Sequence, residues 1–405
     1  MSRRGARDVI VVGAGAIGAT LALALARDGF DVALVEAHAP KPWREEDEVD
    51  LRVVALAPDS RDLFAEIGVW PAIAGARIGP YRHMRVWDAS APGELAFDAA
   101  DDGDAALGWI IENKRIQHAL WNALGAQPGI RLLCPAEVAG IESEDDAVCA
   151  MLAGGTRLRA RVLVAAEGAE SPLRAKLGIA CAGRDYGQRG VVAHVATERA
   201  HEHTAWQRFL PGGPLAFLPL ADGRSSIVWS LPDAEAARVL AFDDATFRNA
   251  LGCAFDFRLG AITSATPRAA FPLRLRLAKQ YVAGRYVLAG DAAHVVHPLA
   301  GQGMNLGLRD VACLRRVLGA ARDRGSDIGA APVLRRYERE RRSENALAAR
   351  GLDLIQRTFD SDNPAIALAR GLGLSVAGKS PPLRDALVAG ATGRISARAI
   401  SPTGS

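Results

Sequence analysis

Gly13, Gly15 and Gly18 stand in G-x-G-x-x-G spacing between a β-branched run, Val9 to Val12, and an Ala/Leu-rich stretch that opens with Ala16 and Ile17. Strand, glycine turn and helix in that order bring a backbone close to a pyrophosphate. Gly13 makes the tight turn, Gly15 admits the phosphate, and Gly18 lets the helix pack on the strand. The helix N-terminus then faces the anion. A second apolar run, Asp31 to Val35, ends at Glu36, about 20 residues beyond the glycines, where a carboxylate accepts ribose hydroxyls. Together these residues predict a dinucleotide site.

A second constellation spans residues 290–307, Gly-Asp-Ala-Ala-His-Val-Val-His-Pro-Leu-Ala-Gly-Gln-Gly-Met-Asn-Leu-Gly. Gly290 and Asp291 follow a short buried-strand run, Tyr286 to Ala289, and the carboxylate can accept a ribityl or ribose hydroxyl. Pro298 fixes its own φ and restrains His297. Gly301 and Gly303, on either side of Gln302, bracket a point where backbone can approach a ring. A helix is expected from near Met304 and Asn305, and its N-terminal dipole favours negative charge on whatever it faces. No residue declares itself as a general acid or base.

Other candidates read as structure. His294 and His297, three apart, lack acids or cysteines in ligand register. His201, Glu202 and His203 sit in a polar turn that reads as a solvated loop, so no metal site is expected. The 49 Lys+Arg against 46 Asp+Glu leave a net charge of +3 on 405 residues, too little for a nucleic-acid stripe. Five scattered cysteines with no C-x-x-C pair suit a reducing compartment, and a cytoplasmic protein is expected. Val9 to Ala26 is 18 mostly apolar residues behind arginines, which imitates a leader or a membrane span. Each glycine inside it has a role in a strand–turn–helix unit, so neither span nor cleaved leader is expected.

These sites need elements to hold them. Ile111 to Leu124 has helical spacing, Val162 to Ala166 is a short apolar strand, and Val191 to Leu231 alternates β-like runs with turn clusters. From Gly307 onward the pattern is helical, with an Arg/Glu-rich stretch from Leu334 to Arg350. The expected fold is α/β, a Rossmann-like domain assembled from separated segments with an antiparallel β-sheet domain inserted. Its division is 1–75, 104–184 and 277–330 for the dinucleotide domain, 76–103 and 185–276 for the inserted domain, and 331–405 for C-terminal helices.

Residues 290–307 closely resemble the third FAD motif of the ubiquinone-biosynthesis aromatic hydroxylases, within the class A flavoprotein monooxygenases. The resemblance extends along nearly the whole chain. Asp50-Leu51-Arg52 with Ala55-Leu56 is similar to that family's arginine segment beside the flavin. Glu112-Asn113 with Ile116-Gln117 is similar to its FAD-contacting helix. Gln207-Arg208-Phe209, Gly213-Pro214-Leu215-Ala216, Leu218-Pro219-Leu220 and Trp229-Ser230 resemble its substrate sheet. One position departs: the family's middle motif carries Asp-Gly, whereas this chain has Glu167-Gly168, one methylene longer.

The resemblance implies a glutathione-reductase-type FAD domain with Gly13, Gly15, Ala16, Ile17, Gly18, Glu36, Arg52, Gln117, Gly290, Asp291, Gln302, Gly303, Met304 and Asn305 at the cofactor. It implies His297, Pro298 and Gly301 on the flavin-face loop, and Phe209, Phe217 and Trp229 in the substrate pocket. NADH or NADPH would reduce FAD, O2 would add to form the C4a-hydroperoxide, and one oxygen would pass to the ring of a polyprenylated phenol. Such a greasy substrate implies a peripheral contact with the inner face of the cytoplasmic membrane, or association with ubiquinone-pathway proteins, through helices between Leu352 and Ala391. Two other readings stay open: a hydroxylase of a small soluble aromatic, and an FAD-binding accessory subunit without turnover, at which Glu167 hints.

Overall fold

The computed structural model describes residues 6–90, 93–296 and 302–359. The run at Val9 belongs to β1 (Arg7–Val12), followed by α1 (Ala16–Arg27) and β2 (Val32–Val35). Next come β3 (Val53–Leu56), α2 (Pro58–Glu66), α3 (Trp70–Ala74), β4 (Gly79–Tyr81), β5 (His83–Asp88), β6 (Glu94–Asp98) and β7 (Gly108–Glu112). The chain returns through α4 (Asn113–Ala126), β8 (Ile130–Leu133), β9 (Val138–Ser143), β10 (Val148–Leu152), β11 (Arg157–Ala165) and α5 (Pro172–Lys176). An inserted block holds β12 (Cys181–Thr197), β13 (Thr204–Leu210), β14 (Gly213–Pro219), β15 (Ser225–Pro232), α6 (Asp233–Leu240), α7 (Asp244–Ala254), β16 (Ile262–Ala265) and β17 (Ala269–Ala278). Then follow β18 (Val282–Ala283), β19 (Tyr286–Leu288), β20 (His294–Val295), α8 (Gln302–Asp323) and α9 (Ala331–Phe359).

Among the described residues the strands form three sheets. The first runs β8-β2-β1-β11-β19 in parallel, extended by β18 and by the β9–β10 pair. Its central strands are near-continuous apolar runs, and Val9, Ile10 and Val11 are fully buried. α1 packs against α4 and α8 and buries everything from Gly18 to Ala26. β1 has β2 on one side and β11 on the other, so connections leave it in opposite directions. Such a switch point opens a crevice at the strands' carboxyl ends.

The second sheet runs β20-β17-β12-β15-β14-β13-β5-β6, with β16 beside β12. It is antiparallel, as expected of the inserted domain, except where β5 joins β13 in parallel (Thr204 opposite His83). The third, β3-β7-β4, is small and bridges the other two. Two boundaries also differ. Ile111 lies in β7 and α4 begins only at Asn113, because apolar spacing does not mark where a strand gives way to a helix. The run at Val162 is the end of a nine-residue strand. Residues 360–405 of the expected C-terminal region lie outside the described residues.

Candidate active site

The glycine turn separates residues that fold the chain from those that leave room. Gly13 has φ +96°, and a Cβ there would lie 2.5 Å from the Ala166 carbonyl oxygen. A Cβ on Gly18 would lie 1.8 Å from the Gly13 carbonyl oxygen. Both must be glycine for backbone to touch backbone. Gly15 is different: its φ of −64° suits any residue, and a Cβ would meet nothing within 4 Å. No side chain caps α1 at Gly15, so the first-turn N–H groups at Ala16 and Ile17 face that space. Glu36 stands at the tip of β2, where its carboxylate accepts the N–H groups of Ala14 at 2.6 Å and His38 at 3.0 Å.

The second motif arrives at the same crevice. Gly290 has φ +62°, and Ile17 packs directly beneath it and beneath Gly307. Asp291 is solvent-accessible yet crowded: burial pushes its carboxyl above the ordinary value, while His294 and Arg52 pull it back. A carboxylate both reachable and desolvated lies on the wall of a cleft. Arg52 is exposed and lies over the Phe271 ring at 5.8 Å, bringing the loop before β3, the start of β17 and the Gly290 turn to one opening. Gly303 is open in the first turn of α8, where an added Cβ would meet nothing within 4 Å. Met304 is half-buried against the core, and Gln117 is half-buried on α4.

Asn305 is occupied otherwise than expected. It is buried, donates to the Ala55 carbonyl at 2.8 Å and accepts from the Ala57 N–H at 2.9 Å, so its side chain ties α8 to β3. The flavin-face candidates His297, Pro298 and Gly301 lie outside the described residues, as does the side chain of Gln302.

Sequence reasoning missed the buried charges behind the turn. Asp310, fully buried on α8, accepts from Gly290 N–H at 3.0 Å, His294 Nε2 at 2.6 Å, Arg341 Nε at 2.8 Å and Asn345 Nδ2 at 3.2 Å. Its carboxyl is held down at about 2 because His294 and Arg341 outweigh its burial. The signal existed in pieces, an Asp on α8 and an Arg on α9, but opposite charges at helical spacing, as on α9, ordinarily mark a solvated face. Glu167 is likewise engaged. Its carboxylate accepts from Ser171 Oγ at 2.5 Å and Leu173 N–H at 3.1 Å, capping the short α5. Arg174 then donates to the Ala292 carbonyl at 3.0 Å, joining this segment to the Gly290 turn.

The second sheet has two unlike faces. Phe217 and Trp229 point to the side covered by α6 and α7, and the Phe217 ring stacks on Phe255 at 3.8 Å. They are core residues, which corrects their expected place in the pocket; alternation along the strand decided it. Phe209 points to the other face, with Val86 and Leu95. That other face carries His194, Ser226 and Leu218 in one cross-strand row, and Val192, Val228, Ala216 and Gln207 in the next. His194 Nε2 donates to the Asp50 carbonyl at 3.1 Å, so this face lies against the Arg52 loop. Across from it stand Val53, Ala55, Ile110 and Tyr81 of the small sheet. Val53, Tyr81 and Leu218 pack against Val49, Ala55, Ile110 and Leu220 and so join the two sheets, and Ala216 and Val228 stay half-buried on the same face. His201 is buried rather than in a solvated loop: Nε2 donates to the Leu220 carbonyl and Nδ1 accepts the His203 N–H.

Residues 6–350 match the FAD binding domain family. The chain is 37% identical to the 3-demethoxyubiquinol 3-hydroxylase of Escherichia coli (strain K12), covering 93% of this chain and 96% of that one. It is 37% identical to the ubiquinone hydroxylase UbiL of Rhodospirillum rubrum, covering 96% and 90%.

The chain belongs to the ubiquinone-biosynthesis hydroxylases.

The hydroxylase fold is shared with p-nitrophenol 4-monooxygenase PnpA from Pseudomonas putida DLL-E4, with a TM-score of 0.75 and 20% identity over 96% of this chain and 99% of that one. It is shared too with Klebsiella pneumoniae HpxO complexed with FAD and uric acid, with a TM-score of 0.72 and 21% identity over 98% of each chain. FAD fits the hydroxylase: a Cβ on Gly15 would meet no protein atom within 4 Å, and Glu36 and Asp291 offer carboxylates beside the two glycine motifs. No helix among the described residues is long and apolar enough to cross a membrane.

Proposed function

We propose that this hydroxylase oxygenates the aromatic ring of a polyprenylated phenol on the route to ubiquinone, with FAD as cofactor and NADH or NADPH and O2 as co-substrates. The 37% identity to an enzyme named for demethoxyubiquinol hydroxylation, over nearly the whole length of both chains, carries the reading. The apolar side chains Val53, Leu218 and Val228 where the two sheets meet support it, since a ring with greasy substituents needs such neighbours.

When bound, FAD supplies the redox chemistry that activates O2. The chain's residues do the rest. Gly15, Ala16 and Ile17 would present backbone to the pyrophosphate in the turn that Gly13 and Gly18 shape, Glu36 would accept from the adenosine ribose, and Asp291 from the ribityl chain. Arg52 and Gln117 would flank the dinucleotide, and the backbone from Gln302 to Asn305 would face the ring. The apolar face between the two sheets would orient the substrate and keep water away from the reacting atoms.

The reading extends to a peripheral membrane contact or a complex with pathway proteins. The exposed Leu347 and Leu354, seven apart on α9, support it, and flotation of the protein with liposomes tests it.

The test of the reaction is anaerobic stopped-flow at the oxidised-flavin absorbance. NADH or NADPH is mixed in with and without a prenylated phenol, then O2 is admitted and products are identified. Bleaching accelerated by the phenol, followed by a hydroxylated ring, is expected. A flavin that binds and is never reduced favours the accessory-subunit reading.

A further inference from the structure

Asp291 is carried on a short turn whose two ends are fastened to one carboxylate oxygen. The Ala289 N–H still bonds across the parallel sheet to the Ala165 carbonyl at 3.0 Å. The next N–H, that of Gly290, leaves the sheet and goes to Asp310 Oδ2 at 3.0 Å. At the far end of the turn the His294 side chain reaches the same oxygen at 2.6 Å. Between these two anchors Ala292 and Ala293 are buried and Asp291 is exposed. The other oxygen of Asp310 takes Arg341 Nε and Asn345 Nδ2 from α9. One turn earlier on α9, the Tyr337 hydroxyl donates to the Leu288 carbonyl at 2.8 Å. That helix therefore holds both the strand that enters the turn and the carboxylate that holds the turn.

We propose that Asp310 is a positioning residue for the cofactor: by gripping Gly290 and His294 it fixes the Asp291 carboxylate between them, where that carboxylate meets FAD. The inference rests on the reading that FAD binds in this crevice with Asp291 on its ribityl chain. Gly290 has φ +62°, and a glycine populates either sign of φ about equally, so its own backbone does not decide how the chain leaves it. Beyond Asp291 the turn is tied by the Ala292 carbonyl to Arg174 and by the Ala293 carbonyl to the Ala278 N–H. Before Asp291 the Gly290 N–H is tied to Asp310. An ionised acceptor makes a bond about twice as strong as a neutral one. Burial works against the charge on Asp310, yet His294 and Arg341 outweigh it and hold the carboxyl at about 2. A hydrogen bond is lost beyond about 3.5 Å. A small displacement of the turn therefore removes the Asp291 contact although every residue is present.

The experiment is a double-mutant cycle on FAD affinity, read by flavin fluorescence as FAD is titrated into the full-length protein. Asp291→Ala should weaken FAD about 10–100-fold, the range of one hydrogen bond to a charged group. Asp310→Asn should weaken it about tenfold. The double variant should bind no more weakly than Asp291→Ala alone, because a misplaced carboxylate and a missing one are the same loss. A residue that only stabilises the fold gives losses that multiply. Arg315→Met serves as the control for lost stability, since it breaks the bonds from α8 to Asp28 and Glu66. Its melting temperature should fall while its FAD affinity stays that of wild type. If Asp310→Asn does not fold, the cycle is run with Arg341→Lys, which keeps a cation beside Asp310 and gives up the bond to Asn345. That variant should lose about threefold, and nothing further on top of Asp291→Ala. Losses that multiply, full FAD affinity in Asp310→Asn, or an equal loss in Arg315→Met overturns the proposal. Wild-type affinity in Asp291→Ala overturns it too, and in that case the error lies in placing this carboxylate at FAD rather than in the anchoring of the turn.

Discussion

Ile17, in the first glycine motif, lies directly under Gly290 of the last: a Cβ on Gly290 would stand 3.0 Å from Ile17 Cγ1. The two halves of the cofactor crevice therefore touch through one side chain and one missing side chain. Gly290→Ala combines this crowding with a φ of +62°, and should cost about 2–4 kcal/mol, from left-handed backbone and overpacking together. The checks are a chemical melt of the apoprotein and the FAD retained after purification, both of which should fall.

Gly15→Ala should separate folding from binding. Its φ is ordinary and its Cβ would meet no protein atom within 4 Å, so the apoprotein melt should move by less than about 0.5 kcal/mol. FAD affinity, measured by flavin fluorescence, should drop at least about tenfold, as the methyl group takes up the space the pyrophosphate needs. An unchanged affinity would place the cofactor elsewhere.

Asp310 links stability to acid. Its folded carboxyl titrates at about 2, against about 3.9 in an unfolded chain. The contribution is complete above the unfolded value and is lost as pH falls through the folded one, so the loss runs from about pH 4 toward pH 2. Asp310→Asn leaves Arg341 buried beside a neutral amide, and breaking such a pair costs about 3–5 kcal/mol. Urea denaturation at pH 7 and pH 3 should show a large gap between wild type and variant at the higher pH and a smaller one at the lower.

His201 and His194 act in a milder range. Burial lowers both folded pKa values, so the unfolded chain binds protons first. Stability is complete above about pH 6.5, the unfolded value, and declines as pH falls below it. Protonating His201 at Nδ1 also removes its bond from the His203 N–H. His201→Asn should flatten the dependence of melting temperature on pH between 7.5 and 5.5, and a slope equal to that of wild type would show that His201 does not contribute.

Glu167→Asp restores the family's usual residue but shortens the cap of α5. Losing the bonds to Ser171 Oγ and Leu173 N–H should cost about 0.5–2 kcal/mol. FAD should still bind, since Glu167 is engaged within its own segment. Thermal melting and flavin titration on one preparation check both statements.

The dinucleotide unit was legible in the sequence because every determinant of it is local. Gly13, Gly15, Gly18 and Glu36 lie within one strand–turn–helix–strand stretch, where spacing alone dictates geometry. The Gly290 motif was legible for the same reason. Whether Phe217 and Trp229 line a pocket or fill a core was not, because it depends on which face of a sheet the helices α6 and α7 cover, and a one-residue step in the strand reverses the answer. Asn305 looked like a cofactor ligand until the fold brought Ala55 and Ala57 to its amide. Asp310 and Arg341 looked like ordinary charges on two helices until packing removed water from between them and left each as the other's partner. Local chemistry wrote the glycine turns into the sequence; burial and sheet facing, which belong only to the assembled chain, decided which side chains fill the core.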